Sequence, residues 1–321
     1  MQRFLICVML IACFCVPPWA AAQHYPGKPL RLIVPWTAGS GTDLMSRMIA
    51  QKLGAALGQQ VVVDNRGGAG ATLGTEAAAK SAPDGYTLYV GGSVSMAISP
   101  VLYPKVGYVP VRDFAPVALV TRFYNVLSVH PSLPAKSVRE LIALARAHPG
   151  QLVMPSAGAG STSHLAGELF KHMTRTEMLH VPYKGGGQMV IAVISGEGQV
   201  MFSPVSTAIP HGKTGKLRLL GVSSSARISP LPGLPTIAET VPGYEFGGWQ
   251  GLLVPASSAP DIINRLHAAL LKAINTPEFK DYVASEGSEL VGSTPAQFAQ
   301  FLRSEVAKHA TLVKASGAKP E

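Results

Sequence analysis

Short apolar runs alternate with amphipathic stretches along this chain, which predicts strands separated by helices. Leu32, Ile33 and Val34 form a run of strand length that Pro35 ends. Leu44, Met48, Ile49, Leu53 and Leu57 then recur at helical spacing, and Gly58 closes that element. Further strand-like runs are Val61–Val63, Tyr86–Val90, Val117–Val120, Asn125–Val129, Leu152–Met154, Val200–Phe202 and Leu217–Val222. A small-residue helix is expected around Thr75 to Lys80. Ser137 and Glu140 read as the capping box of a helix running to Ala147. Pro260 starts a helix with Ile263, Leu266, Leu270 and Ile274 on one face, and Thr294, Pro295 and Gln297 cap the last one. Strands separated by helices imply parallel or mixed sheets, an α/β fold.

The segments that join these elements carry the chemistry. Trp36, Thr37, Ala38, Gly39, Ser40, Gly41, Thr42 and Asp43 form a glycine-rich loop running into a helix. Thr42 is expected to cap that helix, and Asp43 suits its first turn. A helix start with uncovered N–H groups holds an anion without any charged side chain. The device recurs at Ser156–His164, where Ser156, Gly160, Ser161, Thr162 and His164 follow a short strand. Tyr183, Lys184 and Gly185 open a third loop before another helix start, Tyr183 offering a hydroxyl and Lys184 facing solvent. Two such halves facing each other would pinch an anion between helix ends, at the carboxyl ends of strands.

Other readings of the same residues are weaker. Gly68, Gly70 and Gly74 lack dinucleotide spacing, and no Gly-Lys-Ser/Thr follows a glycine loop. Ser161 or Ser163 with His164 as base would make a hydrolase, but neighbours on one helix turn aim at each other poorly and no G-x-S-x-G occurs. His164, Glu168 and His172 share a helix face, yet a tetrahedral metal site on one helix is strained. Trp249 either lines the cleft or is a core tryptophan.

Composition narrows the setting. Residues 1–22 read as a signal peptide, with Arg3, an apolar run from Phe4 to Val16, and small residues at Ala20–Ala22. The protein is therefore expected in the periplasm. A rival cut before Cys13 would leave a lipid anchor. Cys7, Cys13 and Cys15 all lie in this leader, which excludes thiol catalysis, disulfides and Cys-ligated zinc from the remainder. About 300 residues remain, enough for two domains. The net charge of +9 comes from 27 Lys and Arg against 18 acids. The charges are scattered and the aromatics few, so nothing points to nucleic acid.

Together the leader, "YPGKPLRLIVPWTAGSGTD", "VVVDNRGGAGATLGT", "SPVLYPKVGYVPVRDFAPVALV", "HVPYKGGGQ" and "GKLRLLGVSSSARISPLPGLPTIAE" resemble, in that order, the Bug-type substrate-binding proteins of tripartite tricarboxylate transporters. The resemblance implies a two-lobed type II periplasmic binding fold with two crossovers. One lobe would comprise 23–122 with 247–321, the other 123–246. It implies a monomeric, non-catalytic receptor for a small di-, tri- or aromatic carboxylate, with transporter membrane components as partners and no cofactor or metal. Docking on a receptor kinase as a sensor would use the same closed form. The ligand loops carry over to Trp36–Asp43, Ser156–His164 and Tyr183–Gly185, with Ser93 as a further polar contact. Asn65 and Asp43 resemble framework residues that orient loops, and Gly70 and Trp249 would frame the site. Gln199 and Ser203 replace two acids frequent in the family, and Gly67 replaces a proline. Acids there would favour a ligand amino group, so their absence weakens an amino-acid reading.

Overall fold

The computed structural model describes residues 25–103 and 105–316. The expected leader, its three cysteines and the alternative anchor at Cys13 lie outside the described residues. The first elements are β1 (Leu30–Val34), α1 (Gly41–Leu57), β2 (Val61–Asn65), α2 (Thr72–Ala79) and β3 (Thr87–Gly92). The short helices α3 (Ser99–Leu102) and α4 (Pro110–Asp113) lead into β4 (Phe114–Val129). Then come α5 (Val138–Ala147), β5 (Val153–Ser156), α6 (Thr162–Thr174), β6 (Leu179–Pro182), α7 (Gly186–Ile194), β7 (Val200–Pro204), α8 (Val205–Lys213) and β8 (Arg218–Val222). The chain ends in β9 (Gly247–Pro255), α9 (Pro260–Ile274), α10 (Pro277–Ser285), β10 (Glu289–Leu290) and α11 (Pro295–Ser316).

Two sheets share one strand. The first runs β2-β1-β3-β9-β4-β10, parallel between β1 and its neighbours and antiparallel from β3 onward. In the second, β7 and β8 flank the far end of β4, both antiparallel to it. The β5–β6 pair lies beside β7, tied by Gln199 N–H to Val153 O at 2.9 Å. β4 thus crosses from one sheet to the other: Phe114–Tyr124 pairs with β9, and Asn125–Val129 with β7 and β8. A second crossing runs beside it, where Ser223 N–H donates to Asn125 O and Phe246 N–H to Ser223 O.

The first sheet is covered on both faces, which is why β1 reads as a continuous apolar run. Leu32, Val34, Ile49, Leu53, Leu266 and Leu270 pack on one face, and Ile33, Tyr89, Trp249, Leu253 and Phe298 on the other. The second sheet has its own core around Leu127, Met154, Leu165, Phe170, Phe202 and Tyr244. α11 joins both cores, burying Phe298 and Leu302 at its start and Leu312 and Val313 near its end.

Several local expectations change in detail. The runs Val117–Val120 and Asn125–Val129 belong to one strand, because Thr121 to Tyr124 carry the chain across between the sheets instead of turning. Ile49, Leu53 and Leu57 are buried as expected, but Leu44 is 50% exposed and Met45 takes its place on the buried face of α1. Ser40, not Thr42, caps α1: its hydroxyl accepts from Asp43 N–H at 3.2 Å. Glu140 closes its capping box one residue early, accepting from Lys136 N–H at 2.7 Å. Thr294 and Gln297 form the expected reciprocal cap.

Candidate functional site

The loop after β1 is held by a buried acid. Asp43, 1% exposed, sits in the first turn of α1. Its Oδ2 accepts from Gly39 N–H at 2.8 Å and Arg47 Nε at 3.0 Å, and its Oδ1 from Asn65 Nδ2 at 2.8 Å. Asn65 also donates to Trp36 O at 3.1 Å and accepts from Arg47. The two ends of the Trp36–Ser40 turn are thus fixed to the end of β2. The amides of Gly41 and Thr42, by helix geometry, keep no intrahelical partner.

The loop after β5 is held by two histidines. Gly160 N–H donates to His164 Nδ1 at 3.1 Å, which leaves the ring proton on Nε2, facing Glu168 Oε1 at 3.6 Å. Glu168 also takes Lys171 at 2.8 Å; burial would raise its pKa, but the bonds from His164 and Lys171 outweigh it and hold it low. His180 stacks on His164 at 3.8 Å with the rings 8° from parallel, and its Nε2 meets Ser156 Oγ at 2.6 Å. Burial pulls His180 down to about 4, so this imidazole is neutral at pH 7. Ser161 caps α6, and its hydroxyl donates to Gly158 O at 2.6 Å. Ser163 Oγ accepts from Ala157 N–H at 2.9 Å.

These loops face one cavity of about 730 Å³ between the two sheets. The N-termini of α1, α6 and α7 all reach it: Ser40, Gly41 and Thr42 from one side, Gly160 to Ser163 and Gly185–Gly186 from the other. Trp36 and Gly70 line it too. Ser93 lines a recess of about 50 Å³ that shares Trp36 and Thr42 with it. No lysine, arginine or histidine is among the described residues that line the cavity.

The other anticipated residues sit elsewhere. Thr37, Ala38 and Gly39 are exposed on the outer turn of their loop. Asp43, Asn65, Ser156 and His164 act from behind the loops. Tyr183 donates its hydroxyl to Glu197 at 2.9 Å, away from the cavity, and Lys184 is exposed. Trp249 is a core residue, its Nε1 donating to Glu305 at 3.1 Å between Phe298 and Phe301. The residue after it does line the cavity: Gln250 Nε2 donates to Thr42 Oγ1 at 2.6 Å. Neighbours along a strand face opposite ways, so the Gln250 side chain turns to the cavity and the Trp249 ring to the core, Trp249 bordering the small recess beside Ser93. Phe123 and Tyr124 on β4, and Tyr282, Glu286 and Ser288 around the end of α10, were not anticipated. Their local sequence has no glycine loop to mark them. Gln199 and Ser203 face away: Gln199 Oε1 accepts from Val153 N–H at 2.8 Å and Ser203 is buried in β7. Neither is among the described residues that line the cavity.

The hydrolase arrangement is not formed, because both His164 nitrogens face Gly160 and Glu168 and neither reaches Ser161 or Ser163. His172 is exposed while His164 is 3% exposed, and no group of three His, Cys, Asp or Glu among the described residues could hold a metal ion. No helix among the described residues is long and apolar enough to cross a membrane.

The His164 bond makes a testable prediction. His164→Ala is expected to cost about 3 kcal/mol, since it orphans the Gly160 amide and leaves a hole beside His180. His164→Asn, whose Oδ1 can take the same amide, should recover at least half of that loss. Urea unfolding of both variants gives the comparison; equal losses would show that the ring only fills space.

Residues 45–318 match the family described as tripartite tricarboxylate transporter family receptor. The chain belongs to this family. Protein BugT of Bordetella pertussis is 35% identical over 301 residues, covering 93% of this chain and 92% of BugT. Among solved structures, an R. palustris protein with adipate superposes with a TM-score of 0.81 at 34% identity, covering 92% of this chain and all of the other. MatC from Rhodopseudomonas palustris with bound malate gives a TM-score of 0.77 at 29% identity, over 90% of this chain and all of MatC. The fold is the two-lobed type II periplasmic binding fold, and the chain is a receptor of the Bug type, not an enzyme.

Proposed function

We propose that this Bug-type receptor captures a small carboxylate in the periplasm, between lobes formed by 23–122 with 247–321 and by 123–246. It then presents the closed complex to the membrane components of a tripartite tricarboxylate-type transporter. The carrying observation is the convergence of three helix N-termini on one cavity, two of them from across the cleft. Their amides bind a carboxylate through oriented dipoles, without the desolvation cost of a buried arginine. Adipate and malate in the related structures fit the same chemistry. Because α1 belongs to one lobe and α6 and α7 to the other, a carboxylate held by both favours the closed form. Uptake then follows from a shift between open and closed states.

A thermal-shift screen of the exported protein against di-, tri- and aromatic carboxylates tests this. A ligand at about 100 times its Kd adds roughly 2.7 kcal/mol of stability and must raise Tm. A rise of several degrees with at least one acid is expected. A rise only with amines, sugars or nucleotides would overturn the proposal.

A further inference from the structure

We propose that this cleft selects carboxylates of low charge with an apolar body over hydroxylated di- and tricarboxylates. The inference deepens the carboxylate reading and rests on it. Charge is the first argument. Three helix ends supply about half a positive charge each, and the described lining adds no cationic side chain. The one charged residue among the described lining residues is Glu286, on the loop after α10. One or two negative charges match such a site. A third carboxylate would lie against the Glu286 side with nothing to neutralise it.

The wall is the second argument. Away from the helix ends much of it is apolar, from Trp36, Met45, Leu102, Phe123 and Met189, with Ser99, Thr121, Gln250 and Ser288 as polar positions among them. The apolar side chains come from both lobes, and three of the polar ones are already engaged within the protein: Ser99 Oγ donates to Gly70 O, Gln250 Nε2 to Thr42 Oγ1 and Thr121 Oγ1 to Met45 Sδ. A polyhydroxy acid would give up its water against these side chains without replacing its hydrogen bonds. A ring or methylene chain would instead remove them from water, and the two methionines can adapt to either shape. A volume of about 730 Å³ accommodates a body much larger than malate.

Calorimetric titration of the exported protein tests the proposal, with glutarate, adipate and suberate as one arm, benzoate and phthalate as a second, and malate and citrate as the third. Each added methylene is expected to tighten binding by up to about fourfold, with citrate at least tenfold weaker than the best apolar acid. Tightest binding in either of the first two arms supports the proposal and identifies the body. Phe123→Ala should weaken suberate more than glutarate, and Glu286→Gln should narrow the gap between citrate and adipate about threefold. Citrate or malate binding as tightly as the apolar acids overturns the inference and leaves the carboxylate reading standing. Failure of every acid overturns that reading itself.

Discussion

Replacing Asp43 with alanine is expected to cost about 3 kcal/mol and to lower Tm by roughly 5–10 °C. The carboxylate is the common acceptor for Gly39, Asn65 and Arg47, all of which lose a partner at once. The first turn of α1 also loses the anion that suits its dipole. The same change should abolish measurable ligand binding, since the turn that aims the Gly41 and Thr42 amides is no longer fixed to β2. The pH dependence has a definite sign. Burial alone would raise the Asp43 pKa, but the bonds from Arg47, Gly39 and Asn65 outweigh it and hold it low. A depressed folded-state pKa means the contribution is complete above the unfolded value of about 4 and disappears as pH falls through the folded one. Asp43→Asn should therefore flatten the acid side of the stability profile, read by urea unfolding at a series of pH values from neutral down. An unchanged acid limb would show that the ionised carboxylate is not what holds the loop.

Gly74→Ala should destabilise by about 3 kcal/mol or more, against the sign that helix propensity gives. At an unconstrained helix interior the change gains up to about 1 kcal/mol. Here an added Cβ would lie 2.5 Å from Arg66 O and 2.9 Å from Pro35 Cα. Both are backbone atoms and cannot rotate aside, so α2 must lift from the ends of β1 and β2. Those ends carry the cleft loops, and Pro35 directly precedes Trp36. Chemical denaturation measures the stability loss, and titration with a ligand from the screen should show weaker binding in the fraction that folds. A stabilised variant would mean that α2 is free to move.

Much of this arrangement is legible in the residues. The apolar run of β1, the glycine loops and the Thr294–Gln297 cap are local signals, and locally encoded features survive into the fold. Asp43 and Asn65 were identified as loop framework because they resemble their family, and their hydrogen bonds supply the physical reason. What escaped was set by long-range contact. Thr121 and Arg122 interrupt an apolar run and so read as a break between strands, although β4 continues through them and brings Phe123 and Tyr124 to the cleft. Gln250 reaches Thr42 only because β9 returns beside β4, more than two hundred positions later in the chain. The His164–His180 stack likewise joins α6 to β6, and neither histidine has a sequence signature for the other. A glycine loop announces a site; the wall opposite it comes from parts of the chain with no reason of their own to look special.

β4 belongs to both sheets over its sixteen residues, and this limits how the receptor can be taken apart. A cut at the crossing would divide one continuous strand and leave a chain end in each half, beside Phe123 and Tyr124 of the cleft. Neither lobe is thus a freestanding module to be excised, swapped into another receptor or inherited alone.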